Sequence, residues 1–138
     1  MKHLALILLS ALFTLPALAQ ERQDGSLNLV SGEETEAMVF ESEVIDYGTI
    51  EQGSDGVRVF VFTNQSNAPL IIDRCKGSCG CTVPQCPKEA ILPGESGEIE
   101  VRYDTNRIGS FTKNVTVTYN GGETKRVKIK GKITPKEG

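Results

Sequence analysis

The chain has 138 residues, with 15 Lys and Arg against 18 Asp and Glu, four cysteines, no tryptophan and a single histidine, His3. That length suits one domain with a modest core, and the mild acidity argues against general nucleic-acid binding, which needs a basic footprint.

Residues 1–19 begin with a short charged start at Lys2. An apolar run follows from Leu4 to Leu9 and through Ala11, Leu12 and Phe13, and the stretch closes on Ala17-Leu18-Ala19 before Gln20. This is the pattern of a secretory signal peptide with a small-x-small cleavage site. The apolar stretch falls short of the roughly 20 residues that a membrane span needs, and no cysteine at the cleavage point offers a lipid anchor. The expected product is a soluble, periplasmic or secreted protein that does not span a membrane after cleavage.

Cleavage after Ala19 leaves 119 residues with 14 basic and 18 acidic side chains, net −4, and removes His3. Without histidine, the mature chain cannot build a Ser-His-Asp or Cys-His nucleophile system. It also lacks the usual histidine ligands of catalytic zinc. No catalytic residue is therefore assigned.

Residues 20–37 are polar and acidic, with no apolar period beyond Leu27, Leu29 and Val30, and read as a flexible leader. The domain proper is expected over residues 38–138. Met38 to Tyr47 forms a first extended segment, broken at Gly48. Val57 to Thr63 is nearly all apolar, as in a strand covered on both faces. Asn64 to Pro69 is a turn cluster, and Leu70 to Asp73 is a third strand leading into the cysteines. Pro93-Gly94 marks a turn. Ile99, Val101 and Tyr103 alternate with Glu98, Glu100 and Arg102 as in a half-buried strand, and Val115, Val117 and Tyr119 do likewise. Asn120-Gly121 is a strong hairpin signal. The last strand starts at Lys125, with Val127, Ile129 and Ile133 opposed to Lys128, Lys130 and Lys132. No helical period is present. The fold class is all-β, an immunoglobulin-like antiparallel sandwich of about seven strands, with a small barrel as the alternative. An antibody-type domain is excluded, because its two distant cysteines and buried tryptophan are missing.

The order of motifs along the chain is distinctive. It runs Asp46-Tyr-Gly-Thr-Ile50, Phe60-Val-Phe-Thr-Asn64, Pro69-Leu-Ile-Ile72, then Ser78-Cys-Gly-Cys-Thr-Val-Pro84. Leu92-Pro-Gly-Glu-Ser-Gly97, Gly109-Ser-Phe-Thr-Lys-Asn-Val-Thr-Val117 and Ile129-Lys-Gly-Lys-Ile133 follow. From about Val39 to Ile133 the chain resembles the bacterial "domain of unknown function 1573" family of exported proteins. The resemblance implies an immunoglobulin-like sandwich related to modules of cilium-associated and chaperone-like proteins, and no established activity. The paired cysteines of the family pattern map onto Cys79 and Cys81, with Cys75 and Cys86 as additions in this chain.

The four cysteines lie within twelve residues and carry the only side-chain chemistry that the sequence advertises. In an exported chain an even count points to disulfides. Cys75–Cys81 with Cys79–Cys86, or Cys75–Cys79 with Cys81–Cys86, would fasten the loop ahead of Pro93-Gly94, for on the order of 2–3 kcal/mol per bridge at best. A Cys79–Cys81 bridge would instead close a small ring over Gly80 and favour thiol exchange, with Lys76 and Arg74 lowering a nearby thiol pKa. Against exchange, no thioredoxin-like βαβ pattern or activating helix is evident. As a third possibility, Cys79 and Cys81 share one face of an extended segment and, with Cys75 and Cys86, could hold copper(I), which thiolates favour. The spacing is not that of structural zinc modules.

The row Lys128, Lys130 and Lys132, with Lys125 and Arg126, reads as a solvated face that discourages edge pairing. Glu98 and Glu100 form a matching acidic row. Asn64-Gln-Ser66 and Asn114-Val-Thr116 match the glycosylation pattern but fall on turn and strand positions that the fold explains. The leading expectation is an exported, non-enzymatic sandwich with no cofactor and a disulfide-stapled loop. Its role would be binding or assembly with a protein or envelope partner. A Cys-cluster protein that binds copper(I) or exchanges disulfides is the alternative.

Overall fold

The structure is a computed structural model in which residues 36–138 are described. The signal peptide expected over residues 1–19, and the leader up to residue 35, lie outside them.

Among the described residues, eight strands form two four-stranded sheets. In chain order they are β1 (Met38–Phe40), β2 (Val44–Glu51), β3 (Val57–Asn64), β4 (Ile72–Gly77), β5 (Thr82–Gln85), β6 (Ser96–Tyr103), β7 (Gly109–Tyr119) and β8 (Glu123–Thr134). One sheet has the order β1-β3-β6-β5 and the other β2-β8-β7-β4. Every pairing is antiparallel except β2 with β8, which is parallel. The expected immunoglobulin-like sandwich is what forms, as two separate sheets and not as a closed barrel.

The period-2 alternation seen in the sequence places the core. Ile99, Val101 and Tyr103 of β6, Phe60 and Phe62 of β3, Val115, Val117 and Tyr119 of β7, and Val127, Ile129 and Ile133 of β8 are all buried between the sheets. Burying a side chain of this size contributes about 1.5–3 kcal/mol, so these positions supply the bulk of the driving force.

Three strand readings differ from the structure. The segment Met38 to Tyr47 is two strands, β1 and β2, in different sheets, with the switch at Glu41–Glu43. β2 also runs through Gly48, which adopts a φ of 66° at a register shift against β8. β3 is hydrogen-bonded on both edges, yet only its Phe60, Phe62 and Asn64 side is buried. Val59 is 43 % exposed, because among the described residues no layer covers the outer face of that sheet. The strand expected at Leu70 to Asp73 begins at Ile72 and continues through Cys75 to Gly77, while Leu70 makes a single bridge to Ile91. β5 falls inside the stretch read as loop.

The lysine row is solvent-exposed as expected, but not for the stated reason. β8 is an interior strand, flanked by β2 and β7, so its lysines do not guard an edge. Lys130 lies 3.9 Å from Asp46 on β2. Lys125 is ion-paired at 2.6 Å with both Glu36 and Glu43, which pins the start of the domain across the end of β8.

Two side-chain arrangements hold parts of the sandwich together. At the crossing from β3 to β4, the Asn64 side chain is fully buried. Its Nδ2 donates to the carbonyls of Ala68 and Ile91, both at 2.8 Å, and its Oδ1 accepts from the backbone NH and hydroxyl of Ser66. At one end of the sandwich, Tyr103 stacks on Phe111 at 3.8 Å, and Tyr47 meets Phe111 edge-on at 5.3 Å. Tyr47 donates its hydroxyl to the Gly56 carbonyl at 2.7 Å and lies under the Arg58 guanidinium, 4.2 Å from its ring centroid. Burial raises its pKa from 10.0 to about 12, against a lowering contribution from Arg58.

Candidate functional site: the cysteine corner

β4 and β5 are edge strands of opposite sheets, and the segment joining them carries the cysteines. Cys75 lies on β4 in register with the buried Val117 of β7, so its sulfur faces inward. Cys86 directly follows β5. The two are joined in a disulfide with a Cα–Cα distance of 6.4 Å, and this bridge ties the edge of one sheet to the edge of the other.

The second bridge joins Cys79 to Cys81, with a Cα–Cα distance of 5.2 Å and only Gly80 between them. Neither pairing expected for a loop-fastening staple is present. The physical reason is that β4 and β5 approach each other across the sandwich edge, which brings Cys75 to Cys86 and leaves the two inner cysteines on one turn. That approach needs glycine at position 77, where a Cβ would run into the Thr82 carbonyl oxygen. Chain-entropy reasoning gives about 3 kcal/mol for the Cys75–Cys86 bridge and about half as much for the one-residue ring.

The turn is held from both sides. Ser78 NH donates to the Asn114 carbonyl at 2.9 Å, and Asn114 NH returns a bond to Ser78 Oγ at 3.2 Å. Asp104 NH donates to the Cys81 carbonyl at 2.9 Å, and Thr82 NH closes the turn onto the Cys79 carbonyl at 3.2 Å. The sulfurs differ in environment. Cys81 is 4 % exposed and belongs to the core, whereas Cys79 is only partly buried and Gly80 is exposed. The Thr82 hydroxyl, itself buried, lies 3.7 Å from both Sγ atoms. Disulfide sulfurs carry no hydrogen, so Thr82 is the donor.

A cavity of about 360 Å³ opens beside this turn, lined by Gly80, Cys81, Asp55, Arg102, Tyr103 and Asp104 among others. A wider cleft of about 650 Å³ lies along the staple and includes Cys75, Cys86, Arg74, Pro84 and Lys88. With all four sulfurs paired, none is a thiolate, the form in which cysteine ligates a metal. A four-sulfur copper(I) site therefore does not fit this oxidised form and would require reduction of both bridges.

The structure thus brings all four predicted cysteines to one corner, in two unequal pairs. Sequence reasoning missed Thr82 and Gly77 as residues that shape it, and Asn64 as the residue that holds the β3–β4 crossing. The signal for the first two was their position next to the cysteines, in Lys-Gly77-Ser and Cys81-Thr82. Asn64 was legible only as a turn residue.

These features define the class: a disulfide-bonded, immunoglobulin-like β-sandwich. The fold is similar to the PapD-like domain 7 of human CEP192, with a TM-score of 0.62, 9 % identity and coverage of 73 % of this chain and 87 % of that one. It is also similar to a protein of unknown function from Porphyromonas gingivalis W83, with a TM-score of 0.60, 18 % identity and 69 % of this chain covered. That match covers 46 % of the other protein, so the chain corresponds to less than half of it. A third similarity is to the CsuC–CsuE chaperone–tip adhesion subunit pre-assembly complex of Acinetobacter baumannii, with a TM-score of 0.54, 8 % identity and coverage of 70 % and 57 %. A search of curated proteins found no match. The family model described as "Protein of unknown function (DUF1573)" matches residues 38–133, and the chain belongs to that family.

Proposed function

We propose that the protein is exported, by cleavage after Ala19, and serves in the periplasm or outside the cell as a non-enzymatic domain for binding or assembly with a protein partner. The observation that carries this reading is the state of the cysteine corner. The chain's four cysteines are joined in bridges at a sandwich edge, and its only histidine lies in the segment that export removes. The sheet faces and edges are then the working surface. The PapD-like architecture supports the reading, since chaperone complexes are among the proteins with a similar fold.

Crosslinking in the native host followed by affinity capture should recover a defined protein partner with a protein whose mass begins at Gln20 and contains two disulfides. Disulfide reductase or isomerase turnover abolished by Cys79→Ser would overturn the reading.

The second reading, a thiol protein that exchanges disulfides or carries copper(I), draws support from the Cys79–Cys81 bridge. Intact-mass measurement separates the two. Four free thiols with bound copper would favour the metal form, a mixed and readily reduced population the exchange form, and two fully formed bridges with no metal the first reading.

A further inference from the structure

We infer that the Cys79–Cys81 bridge is a thiol-exchange site, through which Cys79 takes up a cysteine-bearing protein as a mixed disulfide.

The two bridges of the corner have different relations to the fold. Cys75–Cys86 connects opposite sheets, so opening it frees two edge strands. Cys79–Cys81 spans Gly80 alone, within a turn already fixed by backbone hydrogen bonds from Ser78 to Asn114 and from Asp104 to Cys81. Opening it separates no two parts of the domain. A bridge that fastens little can open without unfolding, which is what reversible exchange requires.

Exchange proceeds by attack of a thiolate on one sulfur and departure of the other, and accessibility decides which is attacked. Cys79 is partly exposed, beside the fully open Gly80, whereas Cys81 is buried. The incoming thiolate therefore bonds to Cys79 Sγ, the Cys79–Cys81 bond breaks, and Cys81 leaves as the thiolate. The proton lost by the incoming thiol ends on Cys81. One S–S bond forms as one breaks, so no outside oxidant or reductant is needed.

Thr82 serves the departing sulfur. Its buried hydroxyl has the two Sγ atoms as its side-chain partners, so it donates to whichever sulfur acquires negative charge, and hydrogen bonds to charged acceptors are the stronger ones. The neighbouring cavity, with Asp55, Arg102 and Asp104 in its wall, gives a peptide segment room beside Gly80.

The inference deepens the thiol-exchange reading and takes from the interaction-domain reading only that the natural thiol belongs to a protein. Its test uses a small thiol, so its failure would leave that reading standing. The folded protein is exposed to reduced glutathione, quenched with acid, alkylated and mapped by mass spectrometry. Glutathione is expected on Cys79, with Cys81 alkylated and Cys75–Cys86 intact, and with the inner bridge opening at least tenfold faster than the outer one. Thr82→Val should slow this step several-fold and raise the pH at which the freed Cys81 becomes alkylatable, a readout that a packing role would not move. Equal opening rates, glutathione on Cys81 in place of Cys79, or an inner bridge inert in the folded protein would each overturn the inference.

Discussion

The chain crosses between its two sheets at β3–β4 and crosses back at β4–β5, and it holds these two corners by different means. At the first, one buried amide, Asn64, satisfies two carbonyls and receives two bonds from Ser66, while its own backbone bonds Glu95 and Gly94. At the second, two disulfides lie within a span of twelve residues, one joining sheet to sheet and one joining a turn to itself. The hydrogen-bonded corner is not divisible, since a single side chain makes four of its bonds. The sulfur corner is divisible. One bridge can open while the other keeps the edges together, which places chemistry where stability does not depend on it.

The sharpest way to break the comparison is at Asn64. Asn64→Ala should cost about 2–4 kcal/mol, because four hydrogen bonds of one fully buried side chain are lost together. The measure is the urea midpoint at constant m-value, and a loss under about 1 kcal/mol would show that the corner is held by something else. Next in size is the outer staple. Replacing Cys75 and Cys86 together with serine should cost about 2–3 kcal/mol, read the same way, with the inner bridge retained by mass.

A smaller effect belongs to the aromatic end beside the cysteine turn. The folded protein holds the Tyr47 proton up to about pH 12, whereas the unfolded chain releases it near 10.0. This stabilisation is complete below pH 10 and is lost as pH rises through 12. Denaturation midpoints across that window should fall in the native chain and fall less in Tyr47→Phe, whose neutral-pH stability is lower by about 1 kcal/mol for the lost bond to Gly56. An equal alkaline decline in both would remove Tyr47 as its source. The smallest change is expected at the inner bridge. Replacing Cys79 and Cys81 together with serine should cost less than about 1.5 kcal/mol, and a loss as large as that of the outer pair would erase the division between the two bridges.

Much of the fold was legible because its signals are local. Alternation at Ile99-Glu-Val101-Arg-Tyr103 and at Val115-Thr-Val117-Thr-Tyr119 fixes which side chains turn inward whatever the partner strand. Asn120-Gly121 fixes the hairpin between β7 and β8, with Asn120 at a φ of 48° and Gly121 at 78°. The break at Glu41–Glu43 was not legible, since nothing local distinguishes one extended segment from two that enter different sheets. The edge role assigned to the lysine row failed for a related reason. Alternation identifies the solvated face of a strand but not its place in the sheet.

The sequence by itself determined that this is an all-β domain with four cysteines in a single segment, because strand period and turn chemistry are short-range properties. It left all three pairings of those cysteines open. Only the tertiary structure decided that Cys75 meets Cys86 and Cys79 meets Cys81, since the choice depends on how closely β4 and β5 approach at Gly77. It also decided that Cys79 is the reachable sulfur and that Thr82 stands behind both. Those facts come from the burial of one side of a turn against the core, which no spacing of residues along the chain encodes.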